Sequence, residues 1–236
     1  MLTPEEVKHK ISKEATIFKV GGFRPEHTIE ESWIGKVSVY TKEESIPLDA
    51  NGALMFPLAQ FYLPNLPFVP TKLSKTKIIT VFIANTYPEC FEEMGQHWVI
   101  REYENLDSIV LKDLSNPESF IKAFPLKPAL EKDCPLWDGG GLTPEMEDEI
   151  LALENEGVID DYYDLADFHQ YEHKLGGYPS FCQPGIGIAD GFGEGFEFVF
   201  QITSDEKINL NVIDSGSLMF GKNDQTKKWA IYYDFY

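Results

Sequence analysis

Apolar residues recur every second position or in short unbroken runs over most of this chain, and at helical spacing in only two well-marked places. The first is residues 3–13, where Thr3 is the predicted N-cap, Pro4 the first helical residue and Glu6 the partner of a capping box. Leu2 and Val7 stand where a hydrophobic staple would close, Val7 and Ile11 mark the buried side, and helical spacing gives out at Gly21-Gly22. The second opens at Thr143-Pro144, carries Met146, Ile150 and Leu153 on one face, and stops at Gly157. Asp160 to Tyr171 is expected to add one more turn or helix. Strands are predicted at Trp33–Tyr40, Leu54–Tyr62, Lys77–Ala84, Trp98–Tyr103, Phe196–Ile202, Leu218–Phe220 and Trp229–Tyr236, with a hairpin turn at Asn51-Gly52. The proline-rich run 63–70 is confined to a loop or sheet edge, because proline cannot donate to a ladder. Residues 112–142, with Pro117, Pro125, Pro128 and Pro135 and ending in Gly139-Gly140-Gly141, read as a connector and not as a core element.

Landmarks recur in order. Gly21-Gly22, Pro57-Leu-Ala-Gln60, Ile78–Phe82 and Trp98–Tyr103 are matched by Gly176-Gly177, Phe198-Val-Phe-Gln201, Leu218–Phe220 and Trp229–Tyr233. The pattern predicts one mainly β domain (β-rich α+β) over residues 1–236, an internally duplicated β roll with a few peripheral helices. Its repeats would span approximately 17–111 and 173–236, joined by a proline-rich and acidic helical connector at 112–172. Gln60 and Gln201 lie inside apolar runs, where an amide left without partners costs about 1–3 kcal/mol, so each is expected to bond backbone that the sheet leaves free. The alternative is a glutamine on the solvent face of an alternating strand.

Charge narrows the range of functions. Against 20 Lys and Arg the chain carries 39 Asp and Glu, a net charge of -19, which repels nucleic acid and anionic lipid and attracts cations and basic proteins. With 43% hydrophobic residues the chain is too apolar to be disordered. Three cysteines without a Cys-x-x-Cys pair, Cys90, Cys134 and Cys182, point to reduced thiols. The opening residues lack the apolar core of a signal peptide and no run is long enough for a membrane helix, so a cytoplasmic protein is expected.

Candidate chemistry is sparse. His169-Gln-Tyr-Glu-His173 has the spacing of an inverted zinc-peptidase helix, but Gly176-Gly177 breaks the chain before such a helix could continue. Gly185 to Gly195 is glycine-rich, yet it leads into a strand and carries Asp190 and Glu194, which would repel phosphate, so a flexible surface loop is expected. No Gly-x-Ser-x-Gly elbow is present. Between Asp133 and His173 there are 13 acids and no Lys or Arg. Within that run Asp160, Asp161, Asp164 and Asp167 alternate with Tyr162, Tyr163 and Phe168, a pattern that suits a solvated face, a basic protein partner, or more weakly calcium.

His173-Lys-Leu-Gly176-Gly177-Tyr-Pro179, Gln183, Gln201, Asp214-Ser-Gly216 and Trp229, with Gly21, Gly22, Trp33 and Gln60 in the first half, resemble the YwqG-like family of bacterial proteins over nearly the whole chain. That resemblance implies a mainly β, duplicated roll, a distant relation to the programmed cell death protein 2 family, whose members are thought to bind a newly made ribosomal protein, and immunity roles in some branches. No catalytic residue can be carried over from it, and no metal or cofactor is expected. The leading expectation is therefore a non-enzymatic module for a basic protein partner, immunity-like or chaperone-like. The alternative is a small-ligand protein or enzyme whose pocket lies between the repeats and holds Gln60, Gln201 or His173.

Overall fold

In the computed structural model, which describes residues 2–89 and 91–235, helix α1 (Pro4–Ile11) begins as its capping sequence dictates. Thr3 Oγ accepts the Glu6 N–H and the Glu6 carboxylate accepts the Thr3 N–H, so two end donors are satisfied reciprocally. Val7 and Ile11 pack on Ile150 and Leu153 of helix α2 (Pro144–Asn155). Cys90 and Tyr236, named above, lie outside the described residues.

The strands in chain order are β1 (Lys13–Val20), β2 (Trp33–Ile34), β3 (Val39–Thr41), β4 (Phe56–Tyr62), β5 (Ile78–Ile83), β6 (Trp98–Tyr103), β7 (Ile109–Leu111) and β8 (Phe124–Asp133). Helix α2 (Pro144–Asn155) follows, then β9 (Lys174–Gly176), a short helix α3 (Ile188–Phe192), β10 (Phe196–Thr203), β11 (Ser217–Asn223) and β12 (Trp229–Asp234). Ten strands form one antiparallel sheet in the order β12-β11-β10-β9-β1-β8-β2-β4-β5-β6, while β3 and β7 pair separately. Read outward from the β1–β8 pair, each side has one short strand and then three longer ones. The fold is mainly β, and the sheet curls into a near-barrel with its two ends face to face. Phe61 and Trp98 from one end meet Phe200 and Phe220 from the other across a single core, with the Phe200 and Phe220 rings stacked at 4.4 Å.

Two of these strands overturn the sequence reading. Residues 112–142 are not merely a connector: they hold β8, the longest strand, at the centre of the sheet against β1, which was also unmarked. The prolines are tolerated because the ladder has already run out where their N–H would be needed. Pro125 lies beyond the last paired residue of β1, where Gly21 N–H donates to its carbonyl. Leu126 N–H points to Ser32, so the N of Pro128, two residues on, points the same way, past the end of the two-residue β2.

Smaller corrections share a cause, backbone geometry that apolar spacing does not encode. The run Trp33–Tyr40 is split at Gly35, whose φ is +69° and whose place would put a Cβ 2.4 Å from the Lys122 carbonyl oxygen. Trp33 pairs with Gln60 and Lys174 with Gln201, and Gly35 follows Trp33 by two residues as Gly176 follows Lys174. Gly21 and Gly22 instead end β1. The turn expected within Asp160 to Tyr171 does form, as a 3-10 turn at Tyr162–Asp164. The glycine-rich segment 185–195 contains α3, pinned by Phe192, which is buried with Phe181 and Met219.

Candidate functional site

Asp133, the last residue of β8, pairs with Lys13 at the start of β1, while Lys174, the first of β9, pairs with Ile17 on the other side of that strand, and both are fully buried. The Lys174 ammonium lies 2.8 Å from Asp133 Oδ2 and also donates to the Gln170 carbonyl. The same carboxylate accepts the N–H groups of Gln170 (2.8 Å) and Tyr178 (2.9 Å), so every charged oxygen has a donor. Burial pulls the Lys174 ammonium below the ordinary lysine range and Asp133 opposes that pull. Gly177 is required beside them: its φ is +70°, and a Cβ there would lie 2.1 Å from Asp133 Oδ2.

His169 extends this hub. Its Nδ1 is 2.5 Å from the Cys134 carbonyl, which only accepts, so the proton is assigned to Nδ1 and Nε2 receives the Ser180 hydroxyl at 2.9 Å. Asp133 Oδ1 lies 3.5 Å from the same Nδ1. The order Ser180, His169, Asp133 looks like a nucleophilic triad, but Ser180 is buried and its oxygen also accepts from Gln201 Nε2 at 2.9 Å. The geometry describes a satisfied structural network and offers no nucleophile to a substrate.

Burial, with the Lys174 charge adding to it and Asp133 opposing, lowers the His169 pKa to about 4. The folded state therefore rejects a proton that the unfolded chain takes up near pH 6.5. This stabilisation is complete above pH 6.5 and is lost as pH falls toward 4, at up to about 1.4 kcal/mol per pH unit. Urea unfolding at a series of pH values should show that loss in the native protein and a shallower slope in His169→Asn. Equal slopes would remove His169 as the cause.

The two buried glutamines have closely parallel surroundings. Gln60 Oε1 accepts the N–H groups of Ser38 (2.9 Å) and Val39 (3.1 Å), and its Nε2 donates to the Glu31 carbonyl (2.9 Å). Gln201 Oε1 accepts the Ser180 N–H at 3.1 Å, and its Nε2 reaches the Tyr171 and Glu172 carbonyls. Each side chain ties its strand to the segments before and after the neighbouring short strand. His173 Nδ1 accepts the Thr203 N–H (3.1 Å), as Ser32 Oγ accepts that of Tyr62 (3.0 Å). His169 and His173 thus serve separate backbone partners, no helix joins them, and among the described residues no group of three His, Cys, Asp or Glu is placed to hold a metal.

The other signature residues are structural in their contacts. Pro179 is buried, and the Gln183 amide donates to the Phe235 carbonyl (2.8 Å). Trp229 Nε1 donates to Glu102 (2.8 Å), and Gly216 sits against the Asp234 carbonyl. Asp214 is exposed. None of Gln60, Gln201 and His173 lines a principal cavity.

The structure separates the acidic-aromatic residues into two groups. Tyr162 is buried among Trp137, Leu165 and Ile159, with its hydroxyl on the Pro135 carbonyl (2.7 Å), and Phe168 is half-buried on the same cluster. Asp161 caps the 3-10 turn, Asp164 accepts the Asp160 N–H, and Asp167 pairs with Lys8 at 3.4 Å. All four aspartates and Tyr163 are exposed. Sequence reasoning missed the exposed Val158 and Leu151, and it named Asp133 only as an acid of the 133–173 run and Lys174 only within the His173–Pro179 signature, not as a buried pair.

No helix among the described residues is long and apolar enough to cross a membrane. Among curated proteins none matches the chain. A family described as a domain of unknown function (DUF1963) matches residues 32–225, which takes in every strand of the sheet except β1 and β12, and the chain belongs to that family.

Proposed function

We propose that this protein is a non-enzymatic binding module that holds a basic protein partner against the surface formed by α2 and the loop after it. The observation that carries this reading is the mixed character of that surface. Glu145, Asp148, Leu151 and Asn155 recur at three- and four-residue spacing on the exposed face of α2, and Glu156, Val158, Asp160 and Tyr163 continue the exposed surface beyond it. Lys8 with Asp167 is the one lysine or arginine ion pair that residues 144–172 make among the described residues. Uncompensated carboxylates interleaved with exposed apolar side chains suit a cationic partner with its own apolar anchors, the charges setting rate and specificity and the apolar contacts the affinity.

The resemblance to the YwqG-like family, and through it distantly to the programmed cell death protein 2 family, supports a chaperone-like or immunity-like use of this surface. We also hold the two flanks of the sheet to be copies of one β unit, as their matched glutamines suggest. Affinity capture at low salt tests the functional reading: a basic protein should be retained, released at moderate ionic strength, and lost with Asp148→Asn/Glu156→Gln/Asp160→Asn, whose side chains are exposed. Retention that ignores both salt and the triple variant would sink it.

A further inference from the structure

Where the two ends of the sheet face each other, a cleft of about 770 Å³ opens between the turn after residue 70, strand β6 and the β11–β12 hairpin. Its size is that of a small-molecule site. Four of the chain's 20 basic residues line it, Lys72, Lys75, Lys222 and Lys227, in a protein of net charge -19. The anionic remainder of the surface is screened beyond about 8–10 Å at physiological salt, so an anion in the cleft responds to the cleft's own charges, these four ammonium groups set against the Glu102, Glu104 and Asp224 carboxylates.

The cleft's groups divide into those already paired and those free to bind. Lys222 is held by Glu102 at 2.7 Å, and Lys72 by Asp224 at 2.8 Å and Glu197 at 3.1 Å, both lysine side chains being only 7% exposed. Glu102 also accepts Thr76 Oγ (2.7 Å) and Trp229 Nε1 (2.8 Å), which ties the floor of the cleft across both ends of the sheet. Lys75 and Glu104 make no ion pair among the described residues, and Thr71 and Ser74 offer hydroxyls without a protein partner there. Lys227 reaches Asp224 only at 4.0 Å, and it occupies a left-handed turn position (φ +58°) where glycine or asparagine is at home.

We infer that this cleft binds a small phosphorylated, hydroxyl-bearing metabolite. Lys75 and Lys227, with the Thr71 and Ser74 hydroxyls, supply the unspent cations and donors for a phosphate, and Glu104 is the unspent acceptor for hydroxyl groups on the body of the ligand. A simple anion would leave Glu104 unused, and a neutral sugar would leave the lysines unused.

The test is isothermal titration of the full chain, at constant ionic strength, with ribose 5-phosphate, ribose and inorganic phosphate. Ribose 5-phosphate should bind most tightly and ribose should give no signal. Lys75→Ala/Lys227→Ala, at two exposed positions, should weaken ribose 5-phosphate about tenfold or more, whereas Lys19→Ala, on exposed β1 surface, should not. Glu104→Ala should weaken ribose 5-phosphate while leaving inorganic phosphate unchanged. Absence of ribose 5-phosphate binding up to about 10 mM, or binding undiminished in the double lysine variant, overturns the assignment.

Discussion

Asp133→Ala is expected to destabilise the protein by about 3–5 kcal/mol, because it leaves a fully buried lysine without its counter-charge. Lys174 would keep only the Gln170 carbonyl, and the Gln170 and Tyr178 N–H groups would lose their acceptor as well. The companion variant Asp133→Leu/Lys174→Met removes both charges, and should recover much of the loss, since an apolar pair of similar size is often neutral or better than a buried ion pair. Urea unfolding at pH 7 measures both, and an unchanged m-value would show that the native state and not the unfolded chain is affected. A single variant within about 1 kcal/mol of the native protein would mean that Lys174 is neutral or finds water. Both side chains are enclosed, so the effect expected is one on folding.

Gly216→Ala is expected to cost more than about 2 kcal/mol although the new group is one methyl. A Cβ at this position would stand 1.8 Å from the Asp234 carbonyl oxygen and 2.8 Å from Phe235 Cα, both backbone atoms. Gly216 cannot yield, because its N–H bonds Val212 and its carbonyl accepts Ser204 N–H and Oγ. The end of β12 must move instead, and with it the Asp234 carboxylate that accepts the N–H groups of Cys182 (2.7 Å) and Gln183 (2.9 Å). Hydrogen exchange should therefore rise at residues 182–183 and 229–234 together with the drop in melting temperature. Gly22→Ala is the control. It has nothing within 4 Å, so it should cost only the strain of its positive φ, about 1 kcal/mol. Equal losses at the two glycines would refute the steric account.

The hub and the cleft bear differently on function. Asp133, Lys174, His169 and Ser180 are enclosed and mutually satisfied, so their chemistry is spent on holding β8, β1 and β9 together. Groups in the seam cleft are partly unspent, and the α2 surface is exposed. A partner protein and a small ligand could therefore occupy different faces, and the two binding experiments report on them separately.

Local pattern alone determined both capped helices, the strands β4, β5, β6, β10, β11 and β12, and the mainly β class, because capping boxes and runs of β-branched and aromatic residues act over a few positions. It also singled out Gln60 and Gln201 as buried amides in need of partners. Tertiary structure decided the rest. β8 is a central strand despite two prolines because the neighbouring ladders end where those N–H groups are missing, and no window around Pro125 and Pro128 contains that information. Tyr162 turned inward and Tyr163 outward for want of a helix whose periodicity would have assigned them. Asp133 and Lys174 met across 41 residues, and the lysines of the seam cleft were gathered from positions 72 to 227, because sheet curvature, which brings distant strand ends together, is a property of the whole chain.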